Sequence, residues 1–128
     1  MLLVGGGSGI VPLRAMALAG AGRGVPIRLL YSARDHADAP YAAELDRLAG
    51  VDVTATFTRT APPGWTGYRR RVDADMLRAV GWPPAVAPLS YVCGPTPFVE
   101  TVADVLVDLG HDPARVRTER FGPTGGSP

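Results

Sequence analysis

Five short apolar runs punctuate the chain, and the stretches between them carry apolar residues at helical spacing. Residues 2–4 read as the end of a buried strand feeding a helix over 9–18, which the breakers Gly20, Gly22 and Gly24 close. A second run, 27–32, precedes a helix over about 40–48 whose Tyr41, Leu45 and Leu48 share one face. Alternating β-branched residues make 51–58 a third strand. A loop with Pro62, Pro63, Gly64 and Gly67 leads to a short helix near 74–80. The fourth strand covers 89–93, and the helix over 97–109 turns Val99, Val102, Val105, Leu106 and Leu109 inward. Residues 116–121 are the fifth strand.

Strands alternating with helices predict an α/β fold, a doubly wound five-stranded parallel sheet flanked by helices, in one domain over 1–122 with a flexible tail over 123–128. In such sheets ligands sit beyond the carboxyl ends of the strands, at the switch point in strand order. Four segments fall on that edge: 5–9, 32–35, 58–59 and 93–97.

Composition narrows the classes. A chain of 128 residues, 46% hydrophobic and 20% charged, is of one-domain size and globular in character. Its net charge of +1 gives no basic field for nucleic acid. The single cysteine, Cys93, cannot close an internal disulfide and fits a reducing compartment. With no apolar stretch near the roughly 20 residues of a membrane span and no signal-peptide pattern, a cytoplasmic protein is expected.

The glycine turn GGGSG at 5–9 completes neither common nucleotide template. Gly5 and Gly7 are followed by Ile10, and Gly7 and Gly9 by Pro12, where a dinucleotide fingerprint needs a third glycine. All 13 basic residues are arginine, so the lysine of a P-loop is absent. What remains is a strand-to-helix turn whose free N–H groups favour an anion, with Ser8 as a further donor. Cys93 lacks the Arg six residues on that a phosphatase-type nucleophile needs, since Val99 stands there. His36 and His111, both expected in surface loops, are the only bases that could activate it. Neither histidine has ligand spacing with Cys93, so no metal site is expected.

GSGIVP at 7–12, TR at 58–59, CGPTPF at 93–98 and ERF at 119–121 follow the order and rough spacing of a known family. Together, over nearly the whole chain, they resemble the pyridine-nucleotide half of ferredoxin-NADP reductase-like flavoenzymes. The resemblance implies that Gly7, Ser8, Gly9 and Pro12 approach the pyrophosphate and nicotinamide side of NADPH or NADH, glycine admitting close backbone approach. Thr58 and Arg59 match the family's Ser-Arg pair on the adenosine 2′-phosphate. Arg34, where an NAD fingerprint enzyme would carry an acid, converges on the same edge and favours NADPH. Downstream, Tyr68 and Arg69 to Arg71 match the family's Lys and Tyr only loosely.

By the same resemblance Cys93, with Gly94 and Pro95 opening room for the ring, packs beside the nicotinamide carbon that gives up hydride. Phe121 covers the isoalloxazine or nicotinamide site and Glu119 hydrogen-bonds nearby, which makes Cys93 and Glu119 the candidates for the catalytic centre. The family's flavin barrel, with its Arg-x-Tyr-Ser/Thr signature, is absent from this sequence. FAD or FMN is therefore expected on a flavin-binding domain of a longer chain or a separate subunit, which passes electrons to a redox acceptor protein. Met1 stands almost directly before the first strand, as in a domain cut from something larger. The alternative is a non-catalytic nucleotide-sensing module that binds NAD(P) or another adenine nucleotide, and a third reading is a ligand-free structural domain. A sensor of the adenosine end would have little need of the segments 93–98 and 119–121.

Overall fold

The strands are β1 (Leu2–Gly6), β2 (Ile27–Asp35), β3 (Val51–Thr60), β4 (Ser90–Gly94) and β5 (Val116–Arg120), and the helices α1 (Ile10–Gly22), α2 (Ala42–Asp46), α3 (Ala74–Val80) and α4 (Thr96–Asp108). This computed structural model describes residues 1–39 and 41–121. The strands form one sheet in the order β3-β2-β1-β4-β5, every pairing parallel. The expected doubly wound fold is the observed one. From β1 the chain winds outward to β3, then crosses back to β4 on the other side of β1. The switch point thus lies where Gly5 pairs with Tyr31 on one side and Cys93 on the other.

Period-2 alternation divides the apolar runs between two cores. Leu3, Leu29, Tyr31 and Cys93 pack with Ile10, Leu13 and Ala17 of α1 and Leu45 of α2. Leu2, Val4, Leu30 and Val92 pack on the opposite face with Met76 and Leu77 of α3 and Val99, Val102 and Leu106 of α4. Both faces are covered, which is why the strands read as continuous apolar runs. Each large buried side chain removed from water contributes about 1.5–3 kcal/mol, and conformational entropy offsets most of the sum.

Several boundaries differ from the expectation. α1 runs through Gly20 and Gly22. A Cβ on Gly20 would sit 2.7 Å from Ile27 Cδ1, so that glycine lets the helix lie on β2. Termination falls to Gly24 at φ +73°, with Gly24 N–H donating to Ala21 O and Val25 N–H to Gly20 O. α2 is shorter than expected, whereas β2 and β3 run on to Asp35 and Thr60. The expected tail over 123–128 lies outside the described residues.

Segment 61–72 closes the outer edge of β3. Phe57 N–H donates to Tyr68 O, and the buried Thr56 hydroxyl donates to Arg70 O. Trp65 Nε1 donates to Tyr68 O while its ring stands edge-on to Phe57 at 5.0 Å. An otherwise open strand edge is blunted in this way.

Candidate functional site

The glycine turn and the β4 turn are in backbone contact. A Cβ on Gly9 would lie 2.2 Å from Cys93 O and 2.5 Å from its carbonyl carbon, closer than any side chain tolerates. Gly6 and Gly94 both lie against the Phe98 ring, where added Cβ atoms would stand 2.7 and 2.9 Å away. Gly7, at φ +54°, has open space where a Cβ would project. Ser8 is exposed, and Pro12 is half-buried in the first turns of α1. The structure therefore brings together the two segments the sequence separates by some 80 residues, and leaves open space beside Gly7.

Cys93 is 2% exposed. Burial, with the Glu119 carboxylate as the smaller cause, pushes its thiol up to about 11. At neutral pH the thiol is protonated and a poor nucleophile. Glu119 is its register partner on β5 and is exposed. Phe121 N–H donates to Gly94 O at 3.2 Å, and its half-buried ring packs against the core cluster that includes Cys93. Gly7–Gly9, Cys93–Pro95, Glu119 and Phe121 thus form one group at the carboxyl ends of β1, β4 and β5.

A second group sits at the ends of β2 and β3. Ala33 pairs with Phe57 and Asp35 with Thr60, so Arg34 alone faces both Thr58 and Arg59 across a bulge. The backbone irregularity sets all three candidates side by side. Both guanidinium-bearing residues are exposed. No hydrogen bond or ion pair among the described residues engages Arg59.

Between the groups lies a cavity of about 170 Å³ whose walls include Ser32, Arg71, Phe98 and Thr101. Motif spacing does not single out Ser32 or Thr101. Arg71 was visible as part of an arginine run, yet its place in a cavity came only with the folding back of segment 61–72. His111 corrects the expectation of a surface loop: it is 6% exposed at the end of α4, and burial lowers its pKa. His36 is exposed, at the end of β2. Among the described residues no cluster of His, Cys, Asp or Glu could hold a metal ion, and no helix is long and apolar enough to cross a membrane. Trp65 and Trp82 both pack on the cores, Trp82 under the Arg28 guanidinium at 4.3 Å.

Comparison with known proteins places the chain in a family. The oxidoreductase NAD-binding domain profile matches residues 3–104. The chain is 31% identical to the glycine betaine monooxygenase reductase subunit of Pseudomonas aeruginosa, over 97% of this chain and 36% of that protein. It is 34% identical to the ferredoxin reductase component of the 3-ketosteroid-9-alpha-monooxygenase of Rhodococcus rhodochrous, over 99% of this chain and 35% of the relative. The cytochrome b5 reductase domain of Ulva prolifera nitrate reductase superposes with a TM-score of 0.83 at 25% identity, over 92% of this chain and 47% of the other. The chain spans about a third of the length of these two curated relatives.

Proposed function

We propose a hydride-donor role for this chain, which belongs to the oxidoreductase NAD-binding domain family. It holds NAD(P)H across the carboxyl edge of the sheet and presents the nicotinamide C4 face to a flavin, FAD or FMN, on a separate flavin-binding domain. The observation that carries this reading is the convergence of the Gly7–Gly9 turn, Cys93–Pro95, Glu119 and Phe121 on one edge, at the strand-order switch.

The residues suit such a ligand. Contact between Gly9 and Cys93 O keeps side-chain bulk out of the turn, and the space over Gly7 admits a phosphate to backbone N–H groups. Ser8 adds a hydroxyl donor there. Cys93 offers a short uncharged wall that does not react with the ring, and Phe121 supplies a flat apolar surface beside it. Glu119, exposed at the same edge, is placed to accept a hydrogen bond from a carboxamide or a flavin. Bound NAD(P)H supplies a hydride, which a flavin accepts as a pair and can pass on singly.

Arg34, Thr58 and Arg59 at the bulge favour NADPH, because guanidinium groups match a 2′-phosphate in charge and fork geometry. The relatives' printed names, reductase subunits and a ferredoxin reductase component of oxygenase systems, support a redox protein as the final acceptor. The unpaired Cys93 favours a cytoplasmic setting. Calorimetric titration with NADP⁺, NAD⁺ and 2′,5′-ADP tests the reading. We expect 2′,5′-ADP to bind and Arg59→Ala to weaken it at least tenfold; absence of binding by all three overturns the proposal.

A further inference from the structure

We propose that β5 is a dimer edge, on which the same strand of a second copy of this chain pairs antiparallel about a two-fold axis at Thr118. The inference stands apart from the hydride-donor reading, because it uses the flank of the sheet and leaves the carboxyl ends of the strands free.

The two edges of the sheet differ. At β3 the chain's own segment 61–72 folds back onto the strand, Phe57 N–H donating to Tyr68 O. At β5 no strand among the described residues pairs with the outer side. Arg117, Thr118, Glu119 and Arg120 are all exposed, so both faces of the strand meet water as well. An edge of this kind is a template for a further strand.

Backbone alternation identifies the free groups. Phe121 N–H donates to Gly94 O, so the polar backbone groups of Phe121, Glu119 and Arg117 turn toward β4. Those of Val116, Thr118 and Arg120 therefore turn outward. With Thr118 facing its counterpart, Val116 faces Arg120 of the other copy. Each facing pair exchanges two hydrogen bonds, about six in all.

Charge selects this register. Arg117 and Glu119 share the sheet face of their partners Tyr91 and Cys93. An axis at Thr118 sets Arg117 of each copy opposite Glu119 of the other, and Thr118 opposite Thr118. An axis at Arg117 would set two guanidinium groups face to face, and one at Glu119 two carboxylates. Arg117 has no hydrogen bond or ion pair among the described residues, whereas Arg120, on the other face, is engaged with Thr118 and Glu100. Like charges along an edge would hold copies apart; the order Arg-Thr-Glu is self-complementary, as a two-fold interface requires. A join of five residues falls below the roughly 1,200 Å² of standard interfaces, so the dimer is a weak one.

Sedimentation velocity of the full chain from about 5 to about 200 µM tests the proposal. A monomer–dimer equilibrium should shift across that range and weaken in molar salt. Thr118→Pro deletes an outward N–H without touching the bonds to β4, and should abolish the dimer. Arg117→Glu should weaken it at least tenfold, and Arg117→Glu combined with Glu119→Arg should recover it. A role of Arg117 in folding alone would not give that recovery. Should Thr118→Pro lower the urea midpoint, the charge exchange decides. A chain monomeric throughout, or a dimer indifferent to these substitutions, overturns the proposal and leaves the hydride-donor reading standing.

Discussion

The two ends of the candidate site are built from opposite materials. Around β1 and β4 the backbone does the shaping: Gly9 touches Cys93 O, Gly6 and Gly94 touch Phe98, and Cys93 is sealed from water. Around the β2/β3 bulge the candidates are exposed side chains, Arg34 and Arg59, on a local irregularity of the ladder. The first end is defined by what cannot be added, and it is continuous with the core. The second is defined by charge and can change without disturbing the fold. On the proposed reading, recognition of the part common to NADH and NADPH would be coupled to stability, whereas the choice between them would be nearly independent of it.

The strongest attack on that division is Gly9→Ala. Its Cβ would meet a carbonyl of the central sheet, which has no flexible end to give way, so a loss of about 3 kcal/mol is expected. A fall in the urea midpoint, together with loss of nucleotide binding, checks it; a stable, binding-competent variant would sever the link between core and cofactor end. Arg59→Ala is the mirror experiment. Affinity for 2′-phosphorylated ligands falls at least tenfold, while stability stays within about 0.5 kcal/mol, because the side chain is exposed and unpartnered among the described residues.

The Cys93 thiol sharpens the sealed character of the first end. With its pKa pushed up to about 11, iodoacetamide should label the native chain at pH 8 far more slowly than the urea-unfolded chain. Equal rates would mean that the β4 end opens freely to solvent.

The smallest effect expected is on pH dependence. His111 has a folded pKa lowered from 6.5 by burial, so the unfolded chain takes up its proton first as pH falls. Stability present above pH 6.5 is therefore lost as pH drops through that value toward the lower folded pKa. A urea-midpoint series from pH 8 to 5 should decline below pH 6.5, and His111→Gln should flatten that part. The carboxylates of Glu44 and Asp73, held low by hydrogen bonds from Arg14 and Arg70, lose their contribution only in more acid solution.

Much of this molecule is legible in one dimension. Apolar runs spaced by helical segments determine a parallel α/β sheet, because covering both of its faces requires strands that are apolar throughout. The segments at 7–12, 58–59, 93–98 and 119–121 name the edge on which chemistry would occur, since ligands in such sheets meet the carboxyl ends of strands. Helix ends are less legible. Gly20 reads as a breaker, yet it is a packing residue inside α1, and only its nearness to Ile27 reveals this.

Tertiary structure alone decided the rest. It placed Gly9 on Cys93, set Arg34 against Thr58 and Arg59 through a bulge, buried His111, and folded segment 61–72 back so that Arg71 lines one cavity with Ser32 and Thr101. These are contacts between residues distant in sequence. Local propensity and spacing carry no information about them, because strand register and loop packing are settled by the mutual burial of both faces and the satisfaction of edge hydrogen bonds.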